Sequence, residues 1–357
     1  MKPVILDHLP ERLLELDATQ LHRQLDGPTL IHLPGRRPQP LFVSVLQHGN
    51  EISGWDAVRR LLKSRYRRDP LPRSLILLIG NVRAAAKGRR HLADQPDFNR
   101  CWPGSDTVPT IWHDAFAEIT DHVRLRKPFA SIDIHNNTGL NPHYAAVNRI
   151  EPRRLHLASL FSRTVIYFTE PRGVQSMAFG EFCPAVTLEC GLAADADGSD
   201  HAMAYLDNVL NLREIPSEMP PPEDLDLFSM FATVRVADGI EFGFGDPRRD
   251  LSFPANVDQM NFRELPPGTH LATLGNDPGL HLQARSHDGH DLSADCFALE
   301  ERTIVTRKPL MPAMLTMDEH IVRHDCLCYL MERIAVEPAN ALAVDRGEES
   351  SLPETLP

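Results

Sequence analysis

From about residue 28 to residue 210 the chain alternates apolar, β-prone runs with amphipathic helical stretches, and this alternation limits its fold more than any other feature. "TLIHLP" and "PLFVSVLQ" lead into the helical "ISGWDAVRRLLKSRY", and "RSLILLIGN" follows. The pattern continues with helical "IWHDAFAEITDHVRLR", the run "FASIDIH", helical "PRRLHLASLFSR", the run "PAVTLECG" and helical "HAMAYLDNVLNLRE". Strands interleaved with helices predict an α/β layer structure, a mixed sheet flanked by helices, over residues 1–215. The proline- and acid-rich stretch at 216–227 resists both helix and sheet interior and predicts a linker. Beyond it, runs such as "FSMFATVRV" and "DCFALEERTIVTR" lie between Gly, Pro, Asn and Asp turns, which predicts a smaller C-terminal all-β domain over 228–336. Residues 337–357 lack an apolar pattern and are expected to form a disordered tail.

Composition narrows the classes of partner. A net charge of −12 on 357 residues disfavours nucleic acid, whose binding rests on Lys and Arg neutralising phosphates. The basic "RRLLKSRYRR" therefore predicts the solvated face of a helix. No run approaches the ~18 to 20 apolar residues of a membrane span. "MKPVILDHLPERLLELD" lacks the basic start and unbroken apolar stretch of a secretory signal, so a cytoplasmic location is expected. Six cysteines without CxxC spacing point to reduced thiols, and Cys326 and Cys328 in "CLCYLM" to packing on one strand face. Self-association is left open.

Four strand candidates end in chemically capable residues: "LFVSVLQ" at His48, "LILLIG" at Asn81, "ASIDI" at His135 and "AVTL" at Glu189. In α/β sheets ligands gather outside the carboxyl ends of strands, so these distant positions are expected to converge. His48 and Glu51 stand three apart across a strand-to-helix turn, with Gly49 relieving crowding between them. With His135 from a neighbouring strand they make a His2Glu set that holds a divalent ion and leaves one position open for water, the arrangement of catalytic zinc. A lone His/Glu pair at this spacing is more often a surface hydrogen bond, and the second imidazole makes the difference. Asp133, two residues before His135, shares its strand face and can orient the imidazole. Glu189 emerges at the sheet edge as a general base for water beside the ion. In "GRRHLADQPDFNRCWPG", Asn99 and Arg100 can grip a substrate carboxylate, and Arg89 or Arg90 can support the oxyanion of a tetrahedral intermediate. His281, His287 and His290 in "HLQARSHDGHDL" have ligand-like spacing, but the glycine and aspartates among them mark a solvated turn.

Taken in order, "HGNE", "DFNRCWPG", "DIHNN" and "TLECG" resemble the zinc carboxypeptidase superfamily, in its succinylglutamate desuccinylase/aspartoacylase branch. The resemblance implies one zinc held by His48, Glu51 and His135, Glu189 as catalytic base, and Asn99 and Arg100 as the substrate-carboxylate clamp. It also implies a zinc carboxypeptidase-like sheet with a small C-terminal β domain. "DQPDFNR" departs from the family by an apparent two-residue insertion, and Arg90 rather than Arg89 is taken as the arginine that polarises the carbonyl. The family's substrate-recognising arginine has its candidate in Arg172 of "TEPRGVQS". The expected activity is hydrolysis of an amide bond in an N-acyl amino acid or related small carboxylate by attack of a zinc-bound water. A metallocarboxypeptidase acting on short peptides and a non-catalytic zinc-binding module are the alternatives.

Overall fold

The computed structural model describes residues 2–335 apart from 138, 194, 276–278 and 325. The expected disordered tail, 337–357, lies outside the described residues. Strands in chain order are β1 (Val4–Leu6), β2 (Thr29–Leu33), β3 (Gly35–Val45), β4 (Leu71–Ile79), β5 (Ala130–Asn137), β6 (Tyr144–Val147), β7 (Thr164–Tyr167), β8 (Ala185–Leu192) and β9 (Asp226–Val236). They are followed by β10 (Phe242–Phe244), β11 (Leu251–Phe253), β12 (His270–Leu274), β13 (Leu282–Arg285), β14 (Phe297–Glu300), β15 (Thr303–Thr306), β16 (Met311–Ala313) and β17 (Cys328–Arg333). The helices are α1 (Ser53–Ser64), α2 (Val82–Ala85), α3 (Ile111–Arg124), α4 (Pro152–Ser159), α5 (Gln175–Phe179), α6 (Ala196–Asn211), α7 (Ser293–Cys296) and α8 (Glu319–His324).

Among the described residues, 12 strands form one mixed sheet in the order β1-β2-β4-β3-β5-β8-β6-β7-β9-β17-β16, with β13 on β9. The central pairs β3/β4, β3/β5 and β5/β8 are parallel, and β5 is buried along its whole length. Such strands must be apolar on both faces, and β3 shows how the sequence meets this demand. Leu41, Val43 and Val45 enter one hydrophobic cluster, while Phe42 enters another on the opposite face. The first cluster takes Trp55 and Leu61 of α1 and Tyr205 and Val209 of α6; the second takes Trp112 and Phe116 of α3 and Phe179 of α5. Helices therefore cover both faces, as the alternating sequence predicts.

A second sheet, β10-β11-β12-β15-β14, is the small C-terminal β unit. The C-terminal segment also reaches back, since β9, β13, β16 and β17 extend the main sheet instead of joining the small one. β9 begins at Asp226, inside the stretch expected as linker, and pairs in parallel with β7 from Asp226↔Thr164 onward. The reason lies in the sequence itself: the prolines end at Pro222, and "DLFSMFATVRV" is free to hydrogen-bond. On one face β9 and β17 pack Val234 and Leu330 against the small sheet; on the other, Met230 and Met331 belong to a separate cluster. Helix content is low here but not zero, with α7 and α8 each shorter than two turns. All six cysteines are buried and none forms a disulfide among the described residues, and β17 includes Cys328 but not Cys326.

Candidate metal and hydrolase site

β3 delivers the site by stopping abruptly. After Val45 the buried Leu46 takes φ +57°, and Gln47 and His48 turn out of the strand toward α1. Gly49 is required by proximity: a Cβ there would stand 2.2 Å from the amide nitrogen of Ala85 in α2. Its own N–H donates to the Arg90 carbonyl at 3.0 Å, tying the turn to the 82–97 segment.

His48, Glu51 and His135 are buried, and one ligand atom from each lies within 4.8 Å of the others. Nδ1 of His48 is 2.7 Å from Oε1 of Glu51, and Nδ1 of His135 is 2.7 Å from Oε2 of the same carboxylate. On the far side of each ring a second carboxylate waits: Oδ1 of Asp97 at 2.8 Å from Nε2 of His48, and Oδ2 of Asp133 at 2.8 Å from Nε2 of His135. An imidazole that donates Nε2–H outward keeps the Nδ1 lone pair for the interior, which is how outer carboxylates prepare metal-binding histidines. Asp133 is fully buried and accepts from Ser44 Oγ (2.6 Å) and Gln47 Nε2 (2.8 Å); Gln47 Oε1 in turn accepts from Trp102 Nε1 (2.7 Å). The donor set, two buried imidazoles and a buried carboxylate converging with both outer nitrogens engaged, fits a divalent ion such as zinc.

Charge is concentrated at this point. Burial opposes the Glu51 carboxylate, but His48 and His135 outweigh it and hold its pKa below the usual range. Burial likewise opposes protonation of His135, and Asp133 and Glu51 reverse the effect, raising its pKa. Two imidazoles converging on one carboxylate mark where a cation belongs, because an ion can take the place of a proton between them.

Glu189 stands beside His135 in register across β5 and β8. Its Oε2 is buried and has no hydrogen-bond partner. Burial pushes its pKa up to about 8; His135 and Arg90 pull against this, and the Glu51 and Asp133 charges reinforce it. A carboxyl group poised this way can carry a proton in either direction near neutral pH.

The sequence expectations separate here. His48, Glu51, Arg90, Asn99, Arg100, His135 and Glu189 all line one cavity of about 660 Å3. Arg90 donates to Asp97 Oδ2 at 2.9 Å and approaches Glu51 Oε1 at 3.5 Å, whereas Arg89 is exposed and outside the lining. Asn99 Nδ2 is 3.3 Å from His135 Nε2, and its Oδ1 accepts from the Gln175 amide at 3.3 Å. Arg172 does not join them: it is exposed, off the lining, with Nε 3.4 Å from Glu170 Oε1. Asn81 serves the scaffold, capping α2 through Ala84 N and donating to Gln95 Oε1. His281, His287 and His290 form no ligand group among the described residues, and His287 Nε2 lies 3.1 Å from the Met230 carbonyl.

Asp97 escaped the sequence reading. The available signal was an aspartate directly before the 3₁₀ turn Phe98–Arg100, where its side chain accepts from Asn99 N. Also unforeseen is the far wall of the cavity, built from β6, β7, β9, β17 and α8.

Residues 40–210 match the succinylglutamate desuccinylase/aspartoacylase catalytic domain. This segment is similar to that family's catalytic domain. The family is one of hydrolytic deacylases. The fold agrees with its solved members at low identity. The succinylglutamate desuccinylase of Chromobacterium violaceum is 17% identical, with TM-score 0.53, over 84% of this chain and 86% of that one. Murine aminoacylase 3 is 17% identical, with TM-score 0.54, over 84% and 97%. A Rhodobacter sphaeroides succinylglutamate desuccinylase/aspartoacylase is 14% identical, with TM-score 0.54, over 86% and 88%. No curated protein sequence matches the chain. No helix among the described residues is long and apolar enough to cross a membrane.

Proposed function

We propose that this protein is a zinc-dependent hydrolase that cleaves the amide bond of an N-acyl amino acid or a related small carboxylate. The observation that carries the reading is the juxtaposition, in one cavity, of the His48–Glu51–His135 group with Glu189, whose Oε2 is buried and unpartnered. His48 Nδ1, Glu51 and His135 Nδ1 would hold one zinc ion per chain. Zinc bound there acidifies water and polarises a carbonyl.

The remaining work falls to the chain. Arg100 and Asn99 grip the substrate carboxylate and set the scissile carbonyl beside Glu189, converting a bimolecular encounter into an oriented one. Glu189 Oε2 accepts a proton from the attacking water and passes it to the departing nitrogen. The C–N bond breaks, the water oxygen stays on the acyl carbon, and the amine leaves protonated. Arg90, fixed by Asp97, brings positive charge to the carbonyl oxygen as it becomes an oxyanion.

The test is turnover by the zinc-loaded protein of N-acyl amino acids set against short peptides with free carboxyl termini. Release of free amino acid from the acyl compounds, abolished by chelation and restored by zinc, is expected. Cleavage confined to peptides would make the protein a carboxypeptidase, and zinc-loaded protein inert to both classes would leave a binding module.

A further inference from the structure

Beyond β8 the main sheet turns a continuous apolar face to the cavity. Residues two apart on a strand share a face. Starting from Glu189, the opposite residue on β6 is Tyr144, and the face continues through Ala146, Ile166, Phe168, Met230 and Met331. Register holds it together: Ala146 pairs with Ile166, Ile166 with Phe228, and Met331 with Met230. All six side chains line the cavity and belong to one hydrophobic cluster or pack against it.

Among the described residues this face carries no cation. Arg90 bonds Asp97 and approaches Glu51, Arg100 bonds the Asn99 carbonyl, and His320 and His324, which also line the cavity, sit exposed on α8. Arg172, the arginine expected to recognise an acidic group, is off the lining and pairs with Glu170 at the cavity edge. An acidic substituent laid on this face would be stripped of water without a partner and would meet the carboxyl groups of Glu170 and Glu189 at its edges.

The half of the substrate that reaches this face follows from the position of the carboxylate clamp. Arg100 packs against the 168–174 segment: its carbonyl oxygen is 2.7 Å from where a Cβ on Gly173 would stand, and the Gly173 carbonyl accepts from Trp102 N at 3.1 Å. Phe168 and Val174 of that same segment face the cavity. A carboxylate held at Arg100 lies beside this segment, so the side chain on the same carbon can reach the apolar floor.

We propose that the amino acid recognised here is bulky and apolar, so that N-acyl derivatives of residues such as phenylalanine or methionine are preferred to those of aspartate or glutamate. The inference rests on the hydrolase reading for its chemistry, the addition of water across the acyl C–N bond, and on the floor for its selectivity.

Values of kcat/KM for the zinc-loaded full chain should be compared for N-acetyl-phenylalanine, N-acetyl-methionine, N-acetyl-aspartate and N-succinyl-glutamate. The first two are expected to exceed the last two by at least about tenfold, and Met230→Arg should narrow or reverse the ratio. Equal values, or preference for the acidic pair, overturn the proposal and leave the hydrolase reading standing. Should no compound be turned over, that reading fails and calorimetry on Glu189→Gln protein decides this one. N-acetyl-phenylalanine binding about tenfold tighter than N-acetyl-aspartate supports the apolar floor, and equal or weaker binding refutes it. Phe168→Ala, a milder change, serves if Met230→Arg does not fold. It should cut the advantage of N-acetyl-phenylalanine over N-acetyl-alanine about tenfold, and an unchanged ratio counts against the proposal.

Discussion

Asp97 Oδ1 lies 2.8 Å from Nε2 of His48, across 49 residues of chain, and its other oxygen holds Arg90. One carboxylate thereby orients the imidazole proposed as a metal ligand and the arginine proposed to face the oxyanion. The His48 and Arg90 charges overcome the cost of its burial and keep its pKa far below the usual range, so it stays ionised throughout the physiological span.

Outer carboxylates typically contribute 10- to 100-fold to metal affinity. Asp133→Asn, which keeps the shape but removes the charge facing His135, should therefore weaken zinc binding by about 10- to 100-fold. Competition with a chromophoric chelator measures this. Chelation of the wild-type protein should also lower its melting temperature, because an ion bound only to the native state stabilises it. An unshifted melting temperature would argue against a resident metal.

Glu189→Gln should retain one equivalent of zinc, since Glu189 is not among the three converging ligands. Turnover should fall by about 100- to 10,000-fold, the usual contribution of a positioned acid-base group. Metal analysis beside steady-state kinetics separates the two effects, and near-normal turnover would remove Glu189 from its assigned role.

Gly49→Ala should damage both folding and the site. Its new Cβ would press on the Ala85 amide nitrogen at 2.2 Å and the Ala84 carbonyl carbon at 2.4 Å, which are backbone atoms that cannot rotate away. A loss of about 1–3 kcal/mol, typical of overpacking, is the minimum expected. Because His48 is the preceding residue, zinc affinity should drop as well. Denaturant titration and metal binding read the two consequences separately.

His32 on β2 and His122 on α3 face each other with Nε2 atoms 3.0 Å apart, so a single proton serves the contact. Burial first, then Arg126, holds both pKa values below the ordinary 6.5, against the weaker opposite pull of Asp7. The unfolded chain therefore takes up protons before the folded one as pH drops. Stability from this neutral pair is complete above about 6.5 and is lost as pH falls through the lower folded values. Melting temperature should decline more steeply between pH 7 and pH 5 for wild type than for His122→Asn, and parallel curves would exclude the linkage.

The sequence by itself determined the layered α/β core, the termination of β3 at His48 and the three-residue spacing to Glu51. Strand and helix periods, and the sharp break from apolar to polar at "QHGNE", are short-range properties written into neighbouring residues. That strand ends gather ligands also made His135 and Glu189 legible, because a general rule of sheet topology stands in for the missing coordinates. Only the tertiary structure decided that Asp97 backs His48, that Arg172 stays off the cavity lining, and that β9 and β17 return to floor the cavity. The first and last of these join residues tens to more than a hundred positions apart. Their geometry depends on strand order and register, which a periodic pattern does not encode.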